Sequence, residues 1–177
     1  SLVACATAPT RPVAPEVSLP MLQLAPAQFG EPVSLAQHLT FTHAGAPDEA
    51  RSLEALLEID DEALRLAGFA LGQRVFTLVW DGKTLDAQRA PQVPAQLQAA
   101  PVLRDIQLVY WPAESVRAAL PPGWVLEDAP GSRVLSSDGR AWVTVRYDGE
   151  PRWVGRAELV NEAEHYRLTI QSRRNEE

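Results

Sequence analysis

The chain has 177 residues, a formal net charge of −7 and an isoelectric point near 5.0. That length holds one domain with a core of its own, and the acidic balance argues against a general nucleic-acid or polyanion binder, which needs a basic surface to neutralise phosphates. No run approaches the roughly 18 apolar residues that a membrane-spanning helix requires.

The first feature in chain order is a single thiol, Cys5, which cannot pair within the chain because no other cysteine exists. Behind it Ala6, Thr7, Ala8, Pro9, Thr10, Arg11, Pro12, Ala14 and Pro15 carry neither a helical nor a strand period, which predicts an extended, solvated tether. Leu2, Val3 and Ala4 ahead of Cys5 resemble the bacterial lipobox, in which leucine, a variable residue and a small residue precede an acylated cysteine. The resemblance implies a processed lipoprotein, its leader mostly missing, held at the membrane by acyl chains on Cys5. By resemblance to lipoprotein sorting rules, Ala6 where an aspartate would signal retention implies the outer membrane of a Gram-negative bacterium, periplasmic face. The alternative is an incidental thiol. Residues 1–33 read as lipobox and tether, and residues 34–177 as a single domain.

From residue 34 the dominant period is two. Leu35, Gln37, Leu39 and Phe41 fall on one face and Ala36, His38 and Thr40 on the other; Leu53, Ala55, Leu57 and Ile59 oppose Ser52, Glu54, Glu58 and Asp60, with Leu56 breaking the pattern. Gly68 and Gly72 bracket Phe69, Ala70 and Leu71 and predict two strands joined by a loop. The β-branched and aromatic run "RVFTLVW" leads into Asp81-Gly82, a strong hairpin signal, with "KTLDAQ" as partner. A second Asp-Gly at 138 and 139 joins "RVLSS" to "RAWVTVRY", a third at 148 and 149 precedes "RWVGRAELVN", and "HYRLTIQSR" closes the series with Tyr166, Leu168 and Ile170 inward. Nine or ten strands are expected.

One segment departs from that rhythm. Val102, Leu103, Ile106, Val109 and Tyr110 recur at helical spacing, with Pro101 suited to a first turn and Pro112 ending or kinking the helix. "AESVRAAL" adds two turns before Pro121, Pro122 and Gly123. Strands, a central helical insertion and more strands predict a mainly β, α+β fold: an antiparallel sheet with helices on one face, curved enough to close or half close and to leave an apolar concavity that the helices cover.

The run "LRDIQLVYWP" at residues 103–112, with "LVWDG" upstream, the lipobox and a Y-R-L-T-I strand downstream, resembles the bacterial lipoprotein family DUF3261 over most of residues 34–171. That family is found with fatty-acid and aryl-polyene biosynthesis clusters. More distantly, the layout is similar to the lipoprotein carriers LolA and LolB, whose incomplete barrel and helical lid enclose an acyl-chain cavity. By that resemblance Phe69 and Leu71, on a loop tip between two glycines, are similar to the protruding hydrophobic loop of LolB that engages lipid or membrane; the other reading folds both into the core.

Catalytic patterns are missing. There is no G-x-S-x-G elbow; Ser132, Ser136 and Ser137 sit near turns, where serine commonly bonds backbone. His38, His43 and His165 have no paired spacing, and His38 and His165 fall on polar faces. The acidic run Glu58, Asp60, Asp61 and Glu62 lacks the glycine and alternating ligands of a calcium loop. A non-catalytic protein without metal or cofactor is expected, monomeric and without nucleic acid.

The expected function is to bind or accept an acyl chain or lipid-linked product. The cavity wall is read as Leu57, Ile59, Leu64, Leu66, Phe76, Leu78 and Trp80 from the first strands, with Leu103, Ile106 and Tyr110 from the helix. Val143, Val145, Leu168 and Ile170 supply the later strands. In the lid, Asp105 and Gln107 need partners if buried: Asp105 caps or pairs with a strand arginine such as Arg146 and Gln107 satisfies a sheet edge, or both hold the lid or meet a lipid head group. Trp111 is read as a rim residue fixing the helix break. The competing class is a lipid-anchored scaffold, its interior filled by its own side chains, that docks a partner protein of the cell envelope.

Overall fold

The computed structural model describes residues 17–93 and 97–175. Cys5, the lipobox and most of the tether lie outside the described residues. A single turn of 3-10 helix at Pro26–Phe29 precedes five strands: β1 (Val33–His43), β2 (Arg51–Ile59), β3 (Leu64–Ala70), β4 (Gln73–Trp80) and β5 (Leu85–Arg89). Two helices follow, α1 (Ala99–Tyr110) and α2 (Ala113–Ala119), then β6 (Trp124–Ala129), β7 (Ser132–Ser137), β8 (Arg140–Tyr147), β9 (Gly155–Asn161) and β10 (Tyr166–Arg174).

All ten strands form one antiparallel sheet in the order β5-β4-β3-β2-β1-β10-β9-β8-β7-β6. Every neighbour is a sequence neighbour except β1 and β10, which join the two five-stranded halves in the middle. The sheet is not closed, since the outer strands β5 and β6 do not pair with each other, and the helices are inserted in the crossing between those two edges. This is the expected mainly β architecture, with the expected break at Pro112.

The alternation read from the sequence selects one inner face. Leu35, Leu39 and Phe41 on β1 stand opposite Leu57, Leu53 and Arg51 on β2, and Leu39 also opposes Ile170 on β10. The inner face packs with Leu103, Leu108, Val109, Tyr110 and Trp111 into one continuous core. Leu56, the break in the pattern, points to the outer face and is exposed.

Two expectations are corrected. Trp111 is not a rim residue: it is fully buried, its ring tilted at 55° to that of Phe29 with centroids 5.2 Å apart, and its indole N–H donates to the Ala25 carbonyl at 3.2 Å. The packed chain also begins ahead of residue 34, because Leu19, Leu22, Leu24 and Phe29 join the core. This segment lies against α1 and receives its hydrogen bonds from side chains. The Gln107 amide accepts from Leu24 N–H at 2.9 Å and donates to Leu24 C=O at 3.0 Å, and the Trp80 indole donates to the same carbonyl at 2.8 Å. A buried backbone that joins no sheet ladder needs such partners.

Candidate functional site

The inner face is not uniformly covered. The strand ends nearest the Asp60–Ala63 and Asp81–Thr84 turns form a sealed end, where Val33, Leu35, Leu57, Ile59, Leu64, Leu78 and Trp80 are all buried. Toward the opposite ends of β1, β2 and β10, the inner-face residues Leu39, Phe41, Leu53, Tyr166 and Leu168 are only half-buried. Along α1, Val102 and Ile106 are likewise half-buried. The apolar row therefore continues past the point where its cover stops, and this open end is the candidate site.

Toward the sealed end α1 is tied down at its C-terminus. The last carbonyls of a helix lack intrahelical donors, and Pro112, in the position that would serve Leu108, has no N–H to give. Arg133 replaces it, donating from Nη1 to Leu108 C=O at 2.9 Å, and the Tyr147 hydroxyl donates to Val109 C=O. Arg133 is buried and pairs with Asp128 at 3.0 Å. Beside them the Gln37 amide donates to the Tyr110 hydroxyl at 3.1 Å and to Ser172 Oγ at 2.9 Å. Burial pushes the Tyr110 and Tyr147 hydroxyls up to about 12, so both remain neutral donors at physiological pH.

Toward the open end α1 carries a charged cluster. Arg104 is 1% exposed. Its Nη1 and Nη2 clamp the two carboxylate oxygens of Glu164 at 2.8 and 2.7 Å, its Nε donates to Asp105 Oδ1 at 3.0 Å, and Nη2 also reaches the Tyr166 hydroxyl at 3.2 Å. The Tyr166 hydroxyl in turn donates to Asp105 Oδ2. Glu164 sits in the turn between β9 and β10, where its N–H donates to Asn161 Oδ1 at 2.8 Å and its carboxylate accepts from Asn161 Nδ2 at 3.1 Å. Burial raises the Asp105 carboxyl above the usual carboxylate range despite Arg104, and burial also raises the Tyr166 hydroxyl. For Arg104, burial would lower the pKa, but Glu164, Asp105 and Tyr166 together outweigh it and the guanidinium stays charged. Asp105 thus pairs on its own helix and with β10, and not with Arg146, which is exposed on the outer face.

At the same end Leu71 and Gly72 form the two-residue turn between β3 and β4, at φ 51° and 76°. Positive φ at both central residues matches the twist of a tight hairpin and favours Asn, Asp or Gly. The companion turn between β7 and β8 meets that demand with Asp138-Gly139, at φ 53° and 72°. A leucine in the left-handed region costs roughly 1–2 kcal/mol, and this one is fully exposed, at 104%. Phe69 is not on the loop tip as expected: it lies within β3, paired with Glu54 and Arg74, and is half-buried on the outer face with the Arg74 guanidinium 5.9 Å from its ring.

The residues read as a cavity wall do come together on the inner face and on α1, with Ile106 and Leu168 half-buried and the rest buried. They meet one another and the helices in a packed core. Two depressions among the described residues are open grooves. One of about 460 Å³ is bordered by His38, Glu54, Arg156 and Arg173, and one of about 380 Å³ by Glu58, Asp60, Arg65 and Arg174. Among the described residues no group of three or more His, Cys, Asp or Glu side chains is placed to hold a metal ion, and no helix is long and apolar enough to cross a membrane. His38 lies on the outer face against Glu54, and His43 accepts from Gly45 N–H at 3.1 Å.

Arg104, Glu164, Asn161, Arg133 and Tyr147 were not singled out by the sequence. The one local signal was Pro112, which leaves the Leu108 carbonyl in need of a donor. The family model described as "Protein of unknown function (DUF3261)" matches residues 34–174, most of the chain. No curated protein matches the chain.

Proposed function

The chain belongs to the DUF3261 family, and we propose that it is a non-catalytic acceptor for an acyl chain or lipid-linked product, working as a lipid-anchored monomer. In this reading Cys5 carries the anchor, the protein faces the periplasm from the outer membrane, and the open sheet with its helical cover is a half barrel of the LolA/LolB kind. The observation that carries the reading is Leu71: a fully exposed leucine in a backbone conformation that disfavours it. Strain kept where nothing in the fold needs it points to a role outside the fold, and an apolar tip suits contact with lipid. It stands at the same strand ends as the half-buried row Leu39, Phe41, Leu53 and Leu168.

An acyl chain laid along that row would gain about 0.8 kcal/mol for each CH₂ removed from water. The packed interior requires the N-terminal part of α1 to lift as the chain enters, while Arg133 and Tyr147 keep the other end seated. Native mass spectrometry of the protein with a mixed extract of membrane lipids and fatty acids tests this. A saturable one-to-one adduct, weakened by Leu168→Gln in a folded protein, is expected; a folded protein with no adduct overturns the reading.

The packed interior itself favours a second reading, a lipid-anchored scaffold that docks an envelope protein. In that case Leu71 would be a contact for the partner, and no lipid adduct would form.

A further inference from the structure

Resting on the acyl-acceptor reading, we infer that the ligand is an amphiphile with a two-oxygen anionic head, which takes the place of the Glu164 carboxylate on Arg104. The cluster has the layout of a head-and-tail site. Tyr166, which touches both Arg104 and Asp105, packs its ring at a tilt against Phe41 with centroids 5.1 Å apart, and Leu168 follows two residues along the same face of β10. The charged group thus sits at the head of the half-buried apolar row.

The two partners of the Arg104–Glu164 pair are unequal in freedom. The Arg104 side chain is 1% exposed and cannot turn to water, whereas the Glu164 side chain is 36% exposed in a turn and can. A guanidinium is always charged and presents a planar fork matched to two oxygens. If Glu164 swings out, Arg104 keeps Asp105 on Nε and the Tyr166 hydroxyl on Nη2 but loses the two carboxylate bonds of its Nη1/Nη2 fork, which is unfavourable for a buried cation unless another anion arrives. A carboxylate head restores the same two bonds at the same net charge, and a phosphate monoester head restores them with up to about one further negative charge. A neutral ligand does not, so the site discriminates by head group as well as by tail. Glu164 is then a built-in competitor that keeps the empty site paired and makes release reversible. Asn161 Nδ2, now bonded to Glu164, is placed to donate to the incoming head.

The test titrates the full chain, followed by native mass spectrometry, with hexadecanoate, methyl hexadecanoate and hexadecyl phosphate. Binding of either anion well above the ester supports the inference, and which anion binds tighter identifies a fatty carboxylate or a lipid phosphate. Equal binding of all three overturns the inference and leaves the acyl-acceptor reading standing; no binding of any overturns both. Glu164→Gln removes the competitor and is expected to tighten the preferred anion roughly tenfold with the ester unchanged. A folded Glu164→Gln protein that binds as the parent does overturns the role given to Glu164.

Discussion

The two ends of the sheet are made of the same strands and hold α1 in different ways. At the sealed end the inner-face leucines are fully buried and the helix carbonyls accept from Arg133 and Tyr147, so apolar packing and neutral or charge-assisted hydrogen bonds act together. At the open end the corresponding residues are half-buried, and the helix is held by one ion cluster through an exposed turn. Apolar burial scales with covered area and is lost only when the cover leaves. An ion pair can be exchanged for another ion pair at little net cost. The difference marks the open end as the part of the fold able to change partners.

The largest effects should separate the ends directly. Leu57→Ala removes a fully buried side chain from the sealed end and is expected to cost about 3–4 kcal/mol, the usual range for a large-to-small core change. Leu39→Ala, on the same face but half-buried, should cost about 1 kcal/mol, because less area is lost and water already reaches the site. Urea denaturation of both variants gives the comparison. Equal losses would mean that the two ends are equally packed and the distinction fails.

Gln107→Leu probes what holds the N-terminal segment. The substitution leaves Leu24 N–H without its partner and takes one of two donors from Leu24 C=O. Leaving a buried donor unsatisfied is expected to cost about 2 kcal/mol. Hydrogen exchange should show the loss concentrated in residues 19–29, with β7–β10 unaffected. A uniform loss of protection would show instead that the segment is an inseparable part of the core.

Acid should act on the ends with opposite sign. Burial would raise the Asp128 carboxyl, but hydrogen bonds from Arg152 and Arg133 outweigh it and hold it below the usual carboxylate range. A carboxyl lowered on folding adds stability above its unfolded pKa, and that stability is lost as pH falls through the lower folded value. Asp128→Asn should therefore cost about 1 kcal/mol at pH 7, with the gap closing below the unfolded value of 3.8. Burial raises Asp105, so its ionised form weighs against folding at neutral pH, and the penalty is relieved as pH falls through the raised folded value toward 3.8. The difference between Asp105→Asn and the parent should shift in the parent's favour over that higher window. Parallel pH profiles for the two variants would contradict the contrast between the ends.

Most of the sheet was readable because its inner face follows a period of two and its hairpins use Asp-Gly at 81–82 and 138–139. The helix was readable from the spacing of Val102, Ile106 and Tyr110 and from Pro112. What escaped has a physical cause in each case. Residues 17–29 carry no helical or strand period that would announce them as part of the core, because their backbone partners are the side chains of Gln107, Trp80 and Trp111, far away in sequence. Trp111 beside Pro112 reads as a rim residue because nothing local shows that Ala25 and Phe29 cover it. Arg104 and Glu164 are separated by 60 positions, and a lone charge in a helix pattern carries no sign of a distant mate. Leu71 was readable as a residue between two glycines, but its exposure depends on the turn having only two residues.

The smallest expected change in stability is the most informative about function. Leu71-Gly72 and Asp138-Gly139 are turns of equal length at the same end of one sheet, with nearly the same φ values. One carries a residue suited to that backbone and the other does not. Leu71→Asp gives the first turn the sequence of the second and relieves the left-handed leucine, while burial is unchanged because the side chain has none to lose. The variant should be more stable than the parent by up to about 1 kcal/mol, read as a raised urea midpoint with an unchanged slope. It should also bind vesicles of phosphatidylethanolamine and phosphatidylglycerol more weakly in a sedimentation assay, because the apolar tip is gone and a negative charge faces anionic lipid. A gain in stability together with a loss of lipid contact would show that the strain at Leu71 serves the surface and not the fold. A loss of stability would show that Leu71 supports the hairpin, and the comparison between the two turns would lose its meaning.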